Sequence, residues 1–274
     1  MEYVNTPFNY TGNKFKLLNQ ILPLFDYDKD YFVDLFTGGG SVYTNVLGRY
    51  KKVLANDIIT DLVNIHEELL KSDDIIKKVK ETAIFKGDKE GYNDFREDYN
   101  NNPESWKLWT LMLSCTNNML RFNKKFKFNQ TYGNRGWNKN TDKKVEEFTT
   151  HIRNYEDDII YKSLDFSKIV PKNKSMIYID PPYNETEAGY NSYFNKGDGD
   201  RLYEYILDIH SKGHSFALSG LHGEHRSGKR SKIIDDLLNL NIFNFKYLDI
   251  NYKKVKRSEY KEKSKEILIY NYSI

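Results

Sequence analysis

Four consecutive residues, Asp180, Pro181, Pro182 and Tyr183, combine groups that could bind and activate an amino group. The apolar run before them, residues 176–179, indicates a buried strand, which would place the Asp180 carboxylate at a strand end. Two prolines fix the backbone and remove two N–H donors, so the carboxylate and the Pro181 carbonyl can both accept hydrogen bonds from a ligand. The Tyr183 ring offers a flat face on which a base can stack. The structural alternative is a strand exit stiffened by proline.

An amine with two N–H groups is the natural partner for two such acceptors. The exocyclic nitrogen of adenine is a poor nucleophile, because its lone pair is delocalised into the ring. Hydrogen bonds to Asp180 and to the Pro181 carbonyl would favour a more pyramidal and more nucleophilic nitrogen. Holding that nitrogen in line with a sulfonium methyl group would make methyl transfer effectively unimolecular. The motif therefore indicates methylation of an amine, a reaction that requires no metal ion.

A second candidate site follows the strand predicted for residues 31–36, where residues 37–41 read Thr-Gly-Gly-Gly-Ser. Glycines let the backbone pass close to a bulky ligand. Asp57 ends the next predicted strand, 17 residues after Gly40, where a carboxylate can accept hydrogen bonds from both hydroxyls of a ribose. The turn lacks the G-x-G-x-x-G spacing and a Walker lysine, so a nucleoside without a pyrophosphate fits best, and S-adenosylmethionine is the common one. The alternative is a tight structural turn with Asp57 as a helix cap.

The elements that would position these residues form an alternating pattern. Strands are predicted at 31–36, 53–57, 159–161, 176–179, 215–218, 243–247 and 266–270, and helices between them at 42–47, 60–70, 200–210 and 232–238. This alternation predicts an α/β fold with a mostly parallel sheet covered by helices. No obvious helix separates the last strands, so we expect an antiparallel edge.

The middle of the chain has a different character. From Asp73 to about Tyr155, charged helical periodicity covers residues 75–82, 92–99 and 106–120, and residues 121–140 show little regular pattern. A loop of that length inside a compact domain is unusual unless it is functional. We interpret the stretch as an inserted helical domain that carries a binding loop.

The distribution of charge is more informative than the net charge of +3. No acidic residue occurs from Thr116 to Thr141, and the basic residues of this segment are Arg121, Lys124, Lys125, Lys127, Arg135 and Lys139. A second basic run contains Lys253, Lys254, Lys256 and Arg257. Such patches can neutralise the phosphates of a nucleic acid, or can be ordinary solvated faces.

The remaining composition excludes several classes of protein. A single cysteine, Cys115, cannot form an internal disulfide or a cysteine-based metal cluster, and its apolar neighbours predict that it is buried. The N-terminal residues show no signal-peptide pattern, and no apolar run approaches the roughly 18 residues of a membrane span. We therefore expect a cytoplasmic protein without membrane partners.

With these motifs in place, the sequence resembles the Dam-type DNA adenine-N6 methyltransferases, in which four such elements occur in this order. The elements are Tyr10-Thr-Gly-Asn-Lys14, Phe32-Val-Asp-Leu-Phe-Thr-Gly-Gly-Gly-Ser41, Leu54-Ala-Asn-Asp57 and Tyr178-Ile-Asp-Pro-Pro-Tyr183. The resemblance spans most of the chain. It implies a Rossmann-like, mostly parallel α/β methyltransferase domain (residues 1–58 and 156–274) with an inserted, mainly helical DNA target-recognition domain (residues 59–155).

The resemblance also implies a cofactor, a partner and the residues that bind them. S-adenosylmethionine would be the methyl donor and double-stranded DNA the partner, with no metal ion and with the protein as a monomer or weak dimer. Asp57 would bind the ribose of the cofactor, and Asp180 would lie near its amino acid end as well as at the target amine. The residues expected to bind the cofactor are Tyr10, Lys14, Asp34, Phe36, Gly38, Gly40, Ser41, Asp57 and Asp180; those expected in catalysis are Asp180, Pro181, Pro182 and Tyr183.

By the same resemblance, DNA contacts are expected from Asn118, Arg121, Asn123, Thr131 and Arg135. Arg135 stands where a guanine-reading arginine is found in enzymes that recognise GATC, and such a bidentate contact is the commonest specific base readout. Thr131 departs from the proline of close relatives, so the exact target stays open, and phosphate contact is the alternative for Arg121.

The alternative functions are adenine methylation of RNA and a catalytically idle nucleic-acid-binding relative. Protein-glutamine and cytosine-amine methyltransferases usually carry Asn and Ser, respectively, where Asp180 stands. The sequence leaves open whether the protein serves a restriction system, a phage or a housekeeping pathway.

Overall fold

A computed structural model describes residues 2–8, 10–83, 85–172, 174–182, 194, 196–224, 230–249 and 264–273. Within these residues a seven-stranded sheet consists of β1 Tyr31–Asp34, β2 Lys52–Asn56, β3 Ile159–Lys162, β4 Met176–Ile179, β5 Ser215–Gly223, β6 Asn244–Leu248 and β7 Ser264–Tyr270. The α-helices in the same residues are α1 Leu18–Ile21, α2 Ser41–Val46, α3 Thr60–Lys71, α4 Asp74–Thr82, α5 Lys89–Asn101, α6 Ser105–Ser114, α7 Lys139–Arg153, α8 Lys196–Ser211 and α9 Lys232–Asn239.

The order of the strands creates a binding position at one edge of the sheet. The order is β3-β2-β1-β4-β5-β7-β6, with β1 to β5 parallel and β7 antiparallel to both β5 and β6. This confirms the predicted α/β fold with a mostly parallel sheet and an antiparallel edge. The chain winds outward from β1 in one direction and returns to β4 on its other side, and ligands of open α/β sheets bind outside the carboxyl ends of the strands at such a switch point.

Helices cover both faces of the sheet, so the central strands are buried on both sides. All four residues of β4 are buried, as expected for a parallel strand with an apolar sequence. One hydrophobic core includes Ile177, Ile206 and Leu237 and lies under α8 and α9. The other begins at Phe32 on the opposite face and continues through α3 to α7 as far as Trp109.

The boundary between the two predicted domains falls inside this second core. Helix α3 packs against β3 and also against α6 and α7. The proposed division of the chain at residues 59 and 155 stays a prediction. In the parts of the chain that the structure describes, no helix has the length and apolar character needed to cross a membrane.

In the middle of the chain one predicted helix was too long, and one helix was not predicted. The helix predicted for residues 106–120 ends at Ser114, because Cys115 takes an extended conformation and pairs with Tyr132. Cys115 itself is buried, as predicted. Helix α7 was not predicted, although the Asn138 side chain caps it by accepting hydrogen bonds from the backbone N–H groups of Asn140 and Thr141.

Candidate active site

A cavity of about 280 Å³ lies at the switch point. The carboxyl ends of β1, β2 and β4 deliver Asp34, Asp57 and Asp180 to its wall. The structure brings every predicted cofactor residue into this wall, and three of the four predicted catalytic residues (Asp180 belongs to both sets): Tyr10, Lys14, Asp34, Phe36, Gly38, Gly40, Ser41, Asp57, Asp180, Pro181 and Pro182. Tyr183 lies outside the described residues. Sequence reasoning missed Phe194, an aromatic lining residue.

The glycine turn after β1 has a shape that side chains would obstruct. Gly38 and Gly40 have φ of +49° and +80°, values that favour glycine. A Cβ atom on Gly38 would lie 2.9 Å from Tyr10 Cε1, and one on Gly40 would lie 2.6 Å from Tyr43 Cε1. The turn is therefore packed closely on both sides, and its backbone forms part of the cavity wall.

Asp57 connects the glycine turn to the start of α3. Its carboxylate accepts hydrogen bonds from the backbone N–H groups of Gly38 and Ile59, both at 3.0 Å. The alternative interpretation of Asp57 as a helix cap therefore holds in part, because Ile59 is the residue directly before α3. A carboxylate offers about four acceptor positions, so two backbone bonds leave room for ligand hydroxyls. Burial raises the pKa of Asp57 above its ordinary value, and these backbone hydrogen bonds offset only part of that rise.

The carboxylate of Asp34 provides a buried hydrogen-bond acceptor at the cavity. Its Oδ2 atom accepts a hydrogen bond from the Tyr43 backbone N–H at 3.1 Å. Its Oδ1 atom is buried and has no hydrogen-bond partner among the described residues. Burial raises the pKa of Asp34 well above its ordinary value. A buried carboxyl oxygen without a partner carries a desolvation cost that a cationic or N–H-bearing ligand would remove.

These hydrogen-bond acceptors fit S-adenosylmethionine, which carries a ribose, a sulfonium and an ammonium group. Asp57 offers acceptors for the ribose hydroxyls. Asp34 offers a buried acceptor for a cationic end, and the backbone of the glycine turn forms part of the cavity wall. The cavity therefore suits a cationic nucleoside, and the individual cofactor contacts stay predictions.

The N-terminal segment closes over the turn. The Tyr10 ring packs on Gly38 and Gly39, and the Ser41 hydroxyl donates a hydrogen bond to Asn13 Oδ1 at 2.6 Å. Burial is the main reason that the pKa of the Tyr10 hydroxyl is raised, so this group stays protonated. The predicted motif at residues 10–14 thus lies beside the glycine turn, far from it in sequence but adjacent in space.

Asp180 forms an ion pair inside this site. The Lys14 ammonium lies 2.8 Å from Asp180 Oδ1 and 3.5 Å from Glu266 Oε1. Burial by itself would lower the pKa of Lys14, but the two carboxylates raise it above its ordinary value. Glu266 was missed in the sequence, because a single acidic residue before an apolar strand gives no signal until the strand order is known.

His66, also missed, supports the glycine turn from behind. Its Nε2 atom lies 3.0 Å from the Gly38 carbonyl oxygen, and its Nδ1 atom lies 3.0 Å from the Tyr43 hydroxyl. A carbonyl oxygen only accepts, so Nε2 carries the proton and Nδ1 accepts from Tyr43. The Tyr43 hydroxyl can then accept from Tyr161, 3.1 Å away. The ring is neutral in this arrangement and is fully buried.

We expect this histidine to make the fold sensitive to mild acid. Burial lowers the pKa of His66 to about 4, whereas the unfolded value is about 6.5. Between these values only the unfolded chain binds the proton, so the free energy of unfolding falls as the pH drops from about 6.5 towards 4, by roughly 3 kcal/mol in total. Urea unfolding at several pH values should show a shallower pH dependence in His66→Gln than in the wild type.

A matched control is His222→Gln, because His222 is partly exposed on β5 and bonds the Tyr247 hydroxyl. This variant should keep the wild-type pH dependence. If the free energy of unfolding has the same pH dependence in His66→Gln and in the wild type between about pH 6.5 and 4, His66 does not cause the effect.

Four of the five predicted DNA-contact residues lie on a hairpin (residues 115–132) rather than on an irregular loop: Asn118, Arg121, Asn123 and Thr131. Arg135 lies just after this hairpin. Antiparallel bridges join Cys115 to Tyr132 and Phe122 to Phe128. At the tip, Asn123 Oδ1 accepts hydrogen bonds from the backbone N–H groups of Lys125 and Lys127. Asn123 therefore shapes the tip, and exposed lysines surround it.

Of the five predicted DNA-contact residues, Arg121 lines the cavity, together with its neighbours on the hairpin, and the other four do not. Arg135 is exposed, and its Nη1 atom donates a hydrogen bond to Oδ1 of the buried Asn118 at 2.8 Å. Thr131 is exposed, with its hydroxyl 2.9 Å from that of Thr116. The second predicted basic run, Lys253 to Arg257, lies outside the described residues.

Comparison with known proteins gives consistent matches. A family model described as D12 class N6 adenine-specific DNA methyltransferase matches residues 10–266. The chain is 32% identical to Modification methylase StsI of Streptococcus sanguinis over 288 residues, which covers 99% of this chain and 43% of that protein. It is also 32% identical to Type II methyltransferase M.FokI of Planomicrobium okeanokoites over 289 residues, with 99% and 43% covered.

A third match is DNA adenine methylase of Haemophilus influenzae, 25% identical over 201 residues, with 68% of each chain covered. The chain spans less than half the length of the first two relatives.

Proposed function

This chain belongs to the D12 class N6 adenine-specific DNA methyltransferase family, and on that premise we propose that it methylates the exocyclic amine of adenine in duplex DNA. The observation that carries the proposal is the placement of Asp180 and Pro181, which line the same cavity as Asp34, Asp57 and the glycine turn. The strand end proposed to bind the amine would thus lie in the same cavity wall as the strand ends proposed to bind the nucleoside. This is the arrangement that direct transfer between two bound molecules needs.

S-adenosylmethionine, when bound, supplies an electrophilic methyl group on a sulfonium. Asp57 would accept hydrogen bonds from the ribose hydroxyls, and the buried Oδ1 of Asp34 would face a cationic or N–H-bearing part. Tyr10 and the glycine turn would enclose the remainder. The chelator EDTA should leave the reaction unaffected, since no step in this scheme uses a metal ion.

The protein's own part in the reaction is to hold and activate the amine. Asp180 and the Pro181 carbonyl would accept hydrogen bonds from the two N–H groups of adenine, which favours a nucleophilic nitrogen. Orienting that nitrogen towards the methyl group lowers the entropic barrier to transfer. A base inside a duplex must leave the stack to reach such a cavity, and Tyr183 would provide a stacking face for it.

The substrate class is tested by incubating the protein with methyl-labelled S-adenosylmethionine and duplex DNA, RNA or a glutamine-containing protein. Label should enter duplex DNA, with or without EDTA. Label in RNA alone would replace the proposal with RNA methylation, and label in none of the three would indicate an idle binding module.

For target choice, we propose that Arg135 contacts a guanine in a short adenine-containing site, with GATC as the first candidate. Its guanidinium is exposed, and Asn118, a buried residue, holds one of its nitrogens. An arginine held in this way loses less conformational entropy when it binds, while its other N–H donors can still pair with a guanine edge.

Arg135→Ala should relax the preference for one guanine position, because one bidentate arginine–guanine pair contributes roughly 1–3 kcal/mol of discrimination. The measurement is to methylate a plasmid and map every modified adenine. Lys124→Ala is the matched control: an exposed hairpin-tip lysine should contribute only a phosphate contact and weaken all sites about equally. Lower methylation with unchanged preference in Arg135→Ala would show that Arg135 contacts only the backbone of the DNA.

A further inference from the structure

We infer that Glu266 is a positioning residue for the proposed methyl transfer, because it balances the charge of Lys14 and so keeps Asp180 effectively negative towards the target amine. The inference rests on the proposed function, in which Asp180 receives that amine. Glu266 belongs to none of the sequence motifs described above. Its role follows from the buried cluster in which the fold places it.

The Lys14 ammonium is the centre of that cluster. Its Nζ atom lies 2.8 Å from Asp180 Oδ1, 3.5 Å from Glu266 Oε1 and 3.1 Å from the Gly12 carbonyl oxygen. An ammonium group has three N–H donors, and these three acceptors match that number. The exposed fraction of the side chain is 17% for Asp180 but only 5% for Glu266. Asp180 and Lys14 line the cavity, whereas Glu266 lies behind them.

Three distant parts of the chain build this cluster. Lys14 follows a turn at Gly12, Asp180 follows β4, and Glu266 pairs with Leu221 across β5 and β7. The next three residues of β7, Ile267 to Ile269, are fully buried and apolar. An acidic side chain in such surroundings has a high desolvation cost unless it meets a cation. Among the described residues, Glu266 meets the ammonium of Lys14.

The charges of the cluster show what the second carboxylate contributes. As the amine nitrogen forms its bond to the methyl carbon, the bond from that carbon to the sulfonium sulfur breaks, and S-adenosylhomocysteine leaves as a neutral thioether. Positive charge develops on the nitrogen until one of its two protons is lost to solvent, and a fixed negative charge beside it stabilises the transition state. Asp180 and Lys14 alone would form a neutral pair, in which the lysine cancels most of this stabilisation. Glu266 gives the cluster of three a net charge of −1. The negative charge of Asp180 can then act on the amine, because Glu266 balances the positive charge of Lys14.

Removing the charge of Glu266 should therefore slow chemistry more than it weakens cofactor binding. For Glu266→Gln we expect the single-turnover rate on duplex DNA to fall about 10-fold or more, equivalent to about 1.4 kcal/mol of transition-state stabilisation. The cofactor dissociation constant should change by less than about 3-fold, because Glu266 does not line the cavity. A variant with a normal rate, or with weakened cofactor binding alone, would overturn the inference.

A double-mutant cycle with Lys14→Met separates charge balance from a general structural role. In that background Glu266 has no lysine charge to balance. Glu266→Gln should then change the rate by less than about 3-fold, which would reveal coupling through Lys14. Equal losses in the two backgrounds would overturn the inference.

Two further variants keep the test interpretable. Glu266→Asp keeps the charge, so its rate should stay within about 3-fold of the wild type even if Glu266→Gln does not fold; a 10-fold loss in it counts against charge balance. Asp26→Asn is the matched control, because Asp26 also pairs with a lysine, Lys29, but bonds Ser215 at the amino end of β5. Its rate should be that of the wild type.

Failure of this inference is distinguishable from failure of the proposed function. If Asp180→Ala abolishes transfer but the cycle shows no coupling, only the role of Glu266 is wrong. If Asp180→Ala leaves transfer intact, the role assigned to Asp180 fails and the inference fails with it. If the wild type transfers no methyl group to DNA, the proposed function itself fails.

Discussion

Asp180→Ala is expected to abolish methyl transfer in a protein that still folds. The substitution removes a preorganised acceptor at the reacting centre, a change that typically costs on the order of 100-fold or more in rate. The fold should survive because Lys14, the buried partner of Asp180, keeps its contact with Glu266. Single-turnover kinetics on duplex DNA measures the rate, and circular dichroism measures the fold.

The control for this variant is Asp208→Ala. Asp208 is an exposed residue of α8 that pairs with Lys212, away from the cavity, and its loss should leave the rate unchanged. A rate for Asp180→Ala within about 3-fold of the wild type, where two orders of magnitude are expected, would refute the role assigned to this carboxylate.

Asp57→Ala is expected to weaken cofactor binding by about 10- to 100-fold, because a hydrogen bond to a charged group contributes roughly 1.5–3 kcal/mol. Two effects add in this variant. The ribose loses its acceptor, and the Gly38 N–H loses the partner that orients the glycine turn. Titration calorimetry with S-adenosylmethionine measures the affinity directly.

Asp57→Asn separates these two effects. Its remaining carbonyl oxygen can still accept a backbone N–H bond, so its loss of affinity should be smaller than that of Asp57→Ala. The control is Asp61→Ala, since Asp61 is the second residue of α3 and accepts a hydrogen bond from the Tyr99 hydroxyl outside the cavity. Unchanged affinity in Asp57→Ala would remove Asp57 from the cofactor site.

The parts of the site that could be predicted from sequence are those with a local signature. Apolar runs ending in Asp34, Asp57 and Asp180 predict strand ends, and the glycines after β1 predict a tight turn. Parallel strands bring such ends to one edge of a sheet, so the cavity follows from the fold class. The segment at residues 10–14 has no such local signal, and the resemblance to a known family was needed to include it.

The residues that were missed depend on contacts distant in sequence. Glu266 meets Lys14 only because β7 inserts between β5 and β6. His66 meets Gly38 only because α3 folds back over the glycine turn. Neither contact can be predicted from the local sequence pattern. A polar residue on an apolar helix face or strand has the same sequence signature whether it supports a site or not.

Helix α7 was missed for a different reason, since its signal is present in the sequence. Val145, Phe148, Thr149 and Ile152 follow helical spacing and are buried, and Asn138 is a favourable cap. The first three residues of α7 belong to the acid-free stretch, in which the charge pattern is a stronger signal than the periodicity. The hairpin between Cys115 and Tyr132 lacks the short turn signature of a two-residue hairpin and so looked irregular.

The central claim is that this chain methylates the exocyclic amine of adenine in DNA. The most direct test incubates the purified protein with S-adenosylmethionine and unmethylated duplex DNA, digests the DNA to nucleosides and identifies the modified base by mass spectrometry. Wild-type protein should produce N6-methyladenine, and Asp180→Ala should produce none above background. A methylated cytosine, a methyl group on a ring nitrogen of adenine, or equal product from the two proteins would contradict the account.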